Sequence, residues 1–143
     1  MSLDREQPIN LSLEGLDKCY GCGQNNPFGL KLQFRCDEDK AEAEFIPGEL
    51  HQGWPGIVHG GIICALLDEA MGYAVYPHGI RCLTAKVEVR FKHPALIGDS
   101  LVVTATIARR TSRLVETSSV ITRKDGTIVA EGKSTMYVIS QDK

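Results

Sequence analysis

The chain has 143 residues, 43% hydrophobic and 24% charged, which suits one ordinary globular domain with a full core and is too short for two. Sixteen Lys and Arg stand against eighteen Asp and Glu, a net charge of −2 with no basic tract, which argues against a nucleic-acid partner. No apolar run is long enough to cross a bilayer, and the opening MSLDREQPINLSL lacks a basic stretch followed by a hydrophobic core, so the expectation is a cytoplasmic chain without signal peptide or membrane span.

In chain order, residues 1–28 form an N-terminal segment that ends in a loop, CYGCGQNNPFGL. Five cysteines, an odd number, argue for free thiols and against a disulfide framework. Cys19 and Cys22 offer two of the four ligands a structural zinc takes. No second close pair follows, and Cys36, His51 and Cys82 stand far off in sequence, so no metal is expected. The plainer reading is a tight loop, rich in Gly and Asn for its turns, that tucks small thiols under the domain.

Two alternating runs, Gly29 to Cys36 and Lys40 to Pro47, flank the acidic turn Asp37 to Asp39 and predict a hairpin. The loop GELHQGWPG follows, in which Trp54 is a candidate either to line a pocket or to pack on a partner. Residues Gly60 to Tyr76 predict a long central helix, stopped at Pro77 and Gly79. Beyond it the pattern changes to period two, with strands predicted over Leu83 to His93, Asp99 to Arg110, Arg113 to Arg123 and Thr127 to Ile139. Two strands, one helix and four more strands give an α+β domain whose antiparallel sheet covers a mostly apolar helix.

On that helix Ile62, Ile63, Leu66, Leu67, Ala70, Tyr73 and Ala74 make one broad apolar face. Asp68 falls on the other side among the small residues Cys64, Ala65 and Gly72, and Glu69 sits at the edge of the apolar face. A carboxylate in such a helix costs several kcal/mol unless it is paired or hydrated, so Asp68 needs either a site or a structural partner. Glu69 reads as structural. The helix opens with His-Gly-Gly, His59 to Gly61, where free amides and the helix dipole favour negative charge. Gly60 lies eight residues from Asp68, roughly 12 Å along the axis, too far for one carboxylate to serve its own helix start. Two antiparallel helices about a two-fold axis would bring Asp68 of one chain to the His-Gly-Gly turn of the other, which predicts a homodimer with composite sites.

The element order, the HGG helix start with Asp nine residues after the His, and PALIGD after a strand resemble the hotdog-fold acyl-CoA thioesterases of the phenylacetic-acid-pathway type. CYGCGQNNPFGL and HQGWPGIVHGG resemble the branch that contains the human thioesterase superfamily proteins, and the likeness runs from about Cys19 onward. The resemblance implies one hotdog domain over residues 1–143, a curved antiparallel sheet wrapped around one long helix, acting on acyl-CoA as a homodimer or a dimer of dimers. It implies that the Gly60 amide polarises the thioester carbonyl, with His59 and Gly61 beside it. It further implies that Asp68 is the general base or nucleophile, and that Thr84, sixteen residues on, holds the water or the base. CoA is then part of the substrate and no cofactor is implied. Related enzymes often carry Asn six residues before the HGG His; Gly53 stands there, leaving His51 or Gln52 to supply a polar group. Lys86, Arg90, Lys92, Arg109, Arg110 and Arg113 are candidates for the CoA phosphates, and a solvated sheet face is the plainer reading of each.

Two other functions share the fold. A hydroxyacyl-thioester dehydratase pairs a loop His with a helical Glu fourteen residues later; counting from His51 that position is Ala65, so the acid is missing. A non-catalytic acyl-CoA sensor would use the same pocket but has little reason to keep Asp68 and Thr84.

Overall fold

The computed structural model describes residues 11–142. The first ten residues, on which much of the signal-peptide expectation rests, lie outside them. Six strands and one α-helix follow in the order β1 (Arg35–Asp37), β2 (Lys40–Phe45), α1 (Gly60–Val75), β3 (Ile80–Phe91), β4 (Leu101–Arg110), β5 (Leu114–Arg123) and β6 (Ile128–Gln141). All pairings are antiparallel and the sheet order is β1-β2-β4-β5-β6-β3, so β3, next after the helix in sequence, becomes an edge. The sheet packs around α1, the α+β hotdog arrangement anticipated from the sequence.

α1 forms because sixteen residues without an internal proline carry an unbroken apolar stripe, and it ends where Pro77 and Gly79, the latter at φ 73°, turn the chain through a short 3-10 segment. Leu66, Leu67, Met71 and Val75 are fully buried against Leu101, Val103, Val115, Ile121, Val129 and Met136 of the sheet. Each such side chain contributes about 1.5–3 kcal/mol relative to exposure. Met71 and Val75 belong to this face although the sequence reading left them out, while Ile62 and Tyr73 are only partly buried. The helix comes so close to β6 that a Cβ on Gly132 would stand 2.8 Å from Ser119 Oγ and 3.3 Å from Leu67 Cβ. Glycine is required there for the close approach, not for its φ.

The predicted hairpin is corrected in its first arm. Only Arg35–Asp37 pairs with β2, because the preceding residues bond elsewhere: Leu30 N–H donates to Tyr20 O at 2.8 Å and Leu32 N–H to Gly21 O at 2.9 Å. Leu30 and Leu32 still enter the core, on either side of Lys31, which turns the chain at φ 54°. Among the described residues no helix is long and apolar enough to cross a membrane.

Candidate active site

Asp68 lies half-buried on α1, where it meets the edge strand β3. Thr84 Oγ1 on β3 donates a hydrogen bond to Asp68 Oδ1 at 2.8 Å. A bulge in β3 produces this contact. The register with β6 shifts between Thr84 and Lys86, leaving Ala85 as the extra residue. Thr84 touches the helix at Asp68, and Phe91, seven positions later, lies beside Gly60 at the helix start. Strict alternation would turn two residues an odd number apart to opposite faces, and the bulge corrects the phase. Asp68 and Thr84 open into a cavity of about 640 Å3, also lined by Leu13, Leu16, Tyr73 and Cys82. Burial first, then the Asp68 charge, pushes the Cys82 thiol up to about 11, and its Sγ lies 3.4 Å from Met136 Sδ.

Glu69 turns to the N-terminal loop. Cys19 Sγ donates to Glu69 Oε1 at 3.4 Å, and a Cβ on Gly21 would stand only 2.4 Å from the Glu69 carboxyl carbon, so a larger residue there would push this carboxylate from its present position. Cys22 shares the same pocket and hydrogen-bonds Tyr73; burial, with the Cys19 and Glu69 side chains adding to it, pushes its thiol up to about 12. Tyr73 is itself held above the usual phenol range, by burial first and then by the hydrogen bond to Cys22.

At the helix N-terminus His59 is the cap, its Nδ1 accepting from Gly61 N–H at 2.8 Å. Ile62 and Ile63 N–H both donate to His59 O, at 2.9 and 3.2 Å. The Gly60 amide donates to no protein group among the described residues, and Gly60 is exposed. It is therefore the one first-turn donor open to a ligand. His51 backs this turn: its carbonyl accepts from His59 N–H at 2.9 Å, its Nδ1 accepts from Gly48 N–H at 2.9 Å, and its ring meets Phe45 edge-on at 5.1 Å. Gln52 Oε1 accepts from Gly56 N–H at 3.1 Å. His51 Nδ1 and Gln52 Oε1 are thus both engaged within the loop before the helix.

Of the expected site residues, one chain brings together Asp68 with Thr84, and separately His51, Gln52, His59, Gly60 and Gly61. The two groups lie on opposite halves of α1, as the spacing required. Trp54 is 80% exposed and Leu50 93%, so the loop before the helix leaves its large side chains uncovered. Among the phosphate candidates Lys86 pairs with Glu88 at 2.9 Å and Lys92 with Glu131 at 3.9 Å. Sequence reasoning missed the Cys82 and Tyr73 walls of the cavity. The two-residue step from Thr84 back to Cys82 could have signalled the first, and nothing local signals the second.

A thioesterase superfamily model matches residues 55–130, more than half of the chain. Acyl-coenzyme A thioesterase THEM4 of Rattus norvegicus is 31% identical over 101 residues, 68% of this chain and 44% of that protein, so the chain spans less than half of this relative. A hypothetical thioesterase from Streptococcus pneumoniae, solved with coenzyme A, superposes with a TM-score of 0.75 at 18% identity over 78% of this chain and 88% of its own. The E. coli PaaI protein of the phenylacetic acid degradation operon superposes with a TM-score of 0.74 at 21% identity, covering 78% and 82%. The family match spans the helix start, Asp68, Thr84 and the strands that hold them, and on that ground this chain belongs to the thioesterase superfamily.

Proposed function

We propose that the chain hydrolyses acyl-CoA thioesters to a carboxylic acid and free CoA, in sites that two copies of the chain build together. The observation that carries this reading is the Thr84–Asp68 hydrogen bond of 2.8 Å inside a cavity of about 640 Å3, with the unpartnered Gly60 amide at the far end of the same helix.

The thioester carbonyl oxygen accepts from the Gly60 N–H, where the helix dipole adds to the stabilisation of the negative charge that develops on addition. Gly61 N–H is taken by His59 Nδ1, so Gly60 is the donor and Gly61 shapes the turn. Thr84 occupies Oδ1 of Asp68, which leaves Oδ2 to take a proton from water or to attack the carbonyl carbon itself. On the first route water adds and CoA leaves as its thiol with the proton held by Asp68; on the second CoA leaves first and water then hydrolyses the acyl-Asp68 anhydride, and both give the acid and the CoA thiol.

Asp68 and the carbonyl cradle come from different protomers. β3 is twelve residues long and pairs only with β6 among the described residues, and long edges are seldom left bare. Pairing β3 with its copy across a two-fold axis sets two α1 helices antiparallel, with Asp68 of one protomer beside Gly60 of its partner. The relatives support the substrate class: the rat protein is named an acyl-coenzyme A thioesterase, and the pneumococcal protein was solved with coenzyme A. The pneumococcal protein was also solved with alanine in place of an Asp and of a Thr sixteen positions apart, the separation of Asp68 and Thr84.

The test is CoA release, followed by chromatography, from short, medium, long and aryl acyl-CoAs. Wild type releases CoA from at least one class, and Asp68→Asn lowers kcat on the order of a thousandfold. An Asp68→Asn variant as fast as wild type overturns the assignment. Tight acyl-CoA binding without release from any class would mark the site instead as a non-catalytic sensor.

A further inference from the structure

We propose that Cys19, Cys22 and Glu69 form a binding site for a thiophilic divalent cation of the zinc class, which clips the N-terminal loop to α1. Taken along the sequence, the C-x-x-C pair lacked further ligands within reach. The fold supplies one that spacing alone would not suggest, because Glu69 projects from mid-helix onto the loop. The two Sγ atoms and a Glu69 carboxylate oxygen lie within 4.8 Å of one another, and the Cys19 Sγ to Glu69 Oε1 separation is already 3.4 Å. Tetrahedral zinc with bonds near 2.3 Å to sulfur places thiolates about 3.8 Å apart, so small side-chain rotations close the set.

The surroundings are built to hold this geometry. Gly21 lets the loop approach the carboxylate, and a Cβ on Gly23 would come 2.4 Å from Asp17 O and Cys19 N. The loop is tied across itself by Gly23 N–H to Cys19 O at 2.9 Å and Asn25 N–H to Asp17 O at 2.9 Å, and Asn25 Nδ2 donates to Asp17 Oδ2 at 2.7 Å. The Tyr73 hydroxyl hydrogen-bonds Cys22 and its ring stacks on Phe34 at 4.4 Å, so a ligating sulfur has an outer partner that is itself fixed. All three ligands are half-buried and line the cavity that holds Asp68. Three protein ligands leave a fourth coordination position for water. Two thiolates with one carboxylate select zinc, or cobalt in its place, over the harder magnesium and calcium. On binding, both thiol protons pass to the buffer and the three ligands carry three negative charges against the two positive ones of the cation. No thioester chemistry is needed for any of this, so the proposal stands independently of the function assigned to Asp68.

The test uses the full chain, reduced and freed of metal by a chelator, and titrated anaerobically with Co(II). One equivalent per chain is expected, with the sulfur-to-cobalt charge-transfer band and the visible bands of a tetrahedral thiolate site. X-ray absorption at the zinc edge of the zinc-loaded chain should report two sulfur neighbours. Cys22→Ser weakens binding on the order of a hundredfold and Glu69→Gln about tenfold, each with an unchanged far-ultraviolet circular dichroism spectrum. Absence of the thiolate band from the wild-type chain, or binding unaltered in both variants, overturns the proposal. If the variants fail to fold, the sulfur count on wild type decides alone: two sulfurs support the site and none rejects it.

Discussion

The two halves of α1 solve opposite problems with the same backbone. At its start, three of the first four amides are satisfied within the turn, by His59 Nδ1 and His59 O, and the Gly60 amide has no partner among the described residues. In the middle every backbone group is satisfied by the helix, and the chemistry sits in side chains: Asp68 held by Thr84, Glu69 held by Cys19. One half offers a fixed partial positive charge and the other a fixed negative one, roughly 12 Å apart along a rigid rod. A rod cannot fold back on itself, so in the proposed reaction the two polar pieces of one site are supplied by two copies of the chain.

Removing the Gly60 N–H alone should have the largest effect. Gly60 is the first helical position and His59 is extended at ψ 134°, which a following proline accepts, so Gly60→Pro deletes the donor while keeping the helix start. The expected loss in kcat is about a hundred- to a thousandfold, with a Tm close to wild type. Mixing refolded Gly60→Pro with Asp68→Asn should then restore about a quarter of wild-type activity, because half the dimers are mixed and each mixed dimer has one intact composite site. No recovery on mixing, with dimers shown by sedimentation, would place both groups of a site in one chain.

A smaller effect tests how Asp68 is aimed. Thr84→Val keeps the strand propensity and removes the hydroxyl that donates to Asp68 Oδ1, and kcat should fall about ten- to a hundredfold with KM little changed. A KM effect with kcat intact would move Thr84 from positioning the acid to binding the acyl chain.

The smallest effect concerns stability. Cys82 has its thiol raised from 9.0 to about 11, chiefly by burial, so the folded state holds this proton more tightly than the unfolded state does. Its contribution is therefore complete below about pH 9 and is lost as pH rises toward about 11. Cys82→Ala should flatten the fall of Tm across that window, as followed by thermal melts at stepped pH. An unchanged slope would show that other groups set the alkaline limit.

Much of this molecule is legible residue by residue. The helix over Gly60–Val75 follows from an apolar stripe bounded by His-Gly-Gly and by Pro77, and the four later strands from period-two runs separated by turn residues, because those signals are local and repeated. The oddity of an acid on the small-residue face, and its distance from the helix start, are also properties of a linear spacing. The resemblance of the HGG start and of Thr84 added roles that spacing cannot assign.

Other features depended on where distant segments meet. The first hairpin arm is mostly not a strand because its amides found the carbonyls of Tyr20 and Gly21, and alternation in Gly29 to Cys36 carries no record of that competition. Thr84 and Phe91 face the same helix through an extra residue at Ala85, which periodicity counting passes over. Glu69 meets Cys19 across fifty positions, a contact made only once the loop is laid on the helix. Sequence by itself determined where the helix runs, most of the face it buries and which acid is out of place, since short-range periodicity encodes these. Tertiary structure decided which partner each polar group finds, since hydrogen bonds and ligand sets depend on ångström-scale positions that no spacing rule contains.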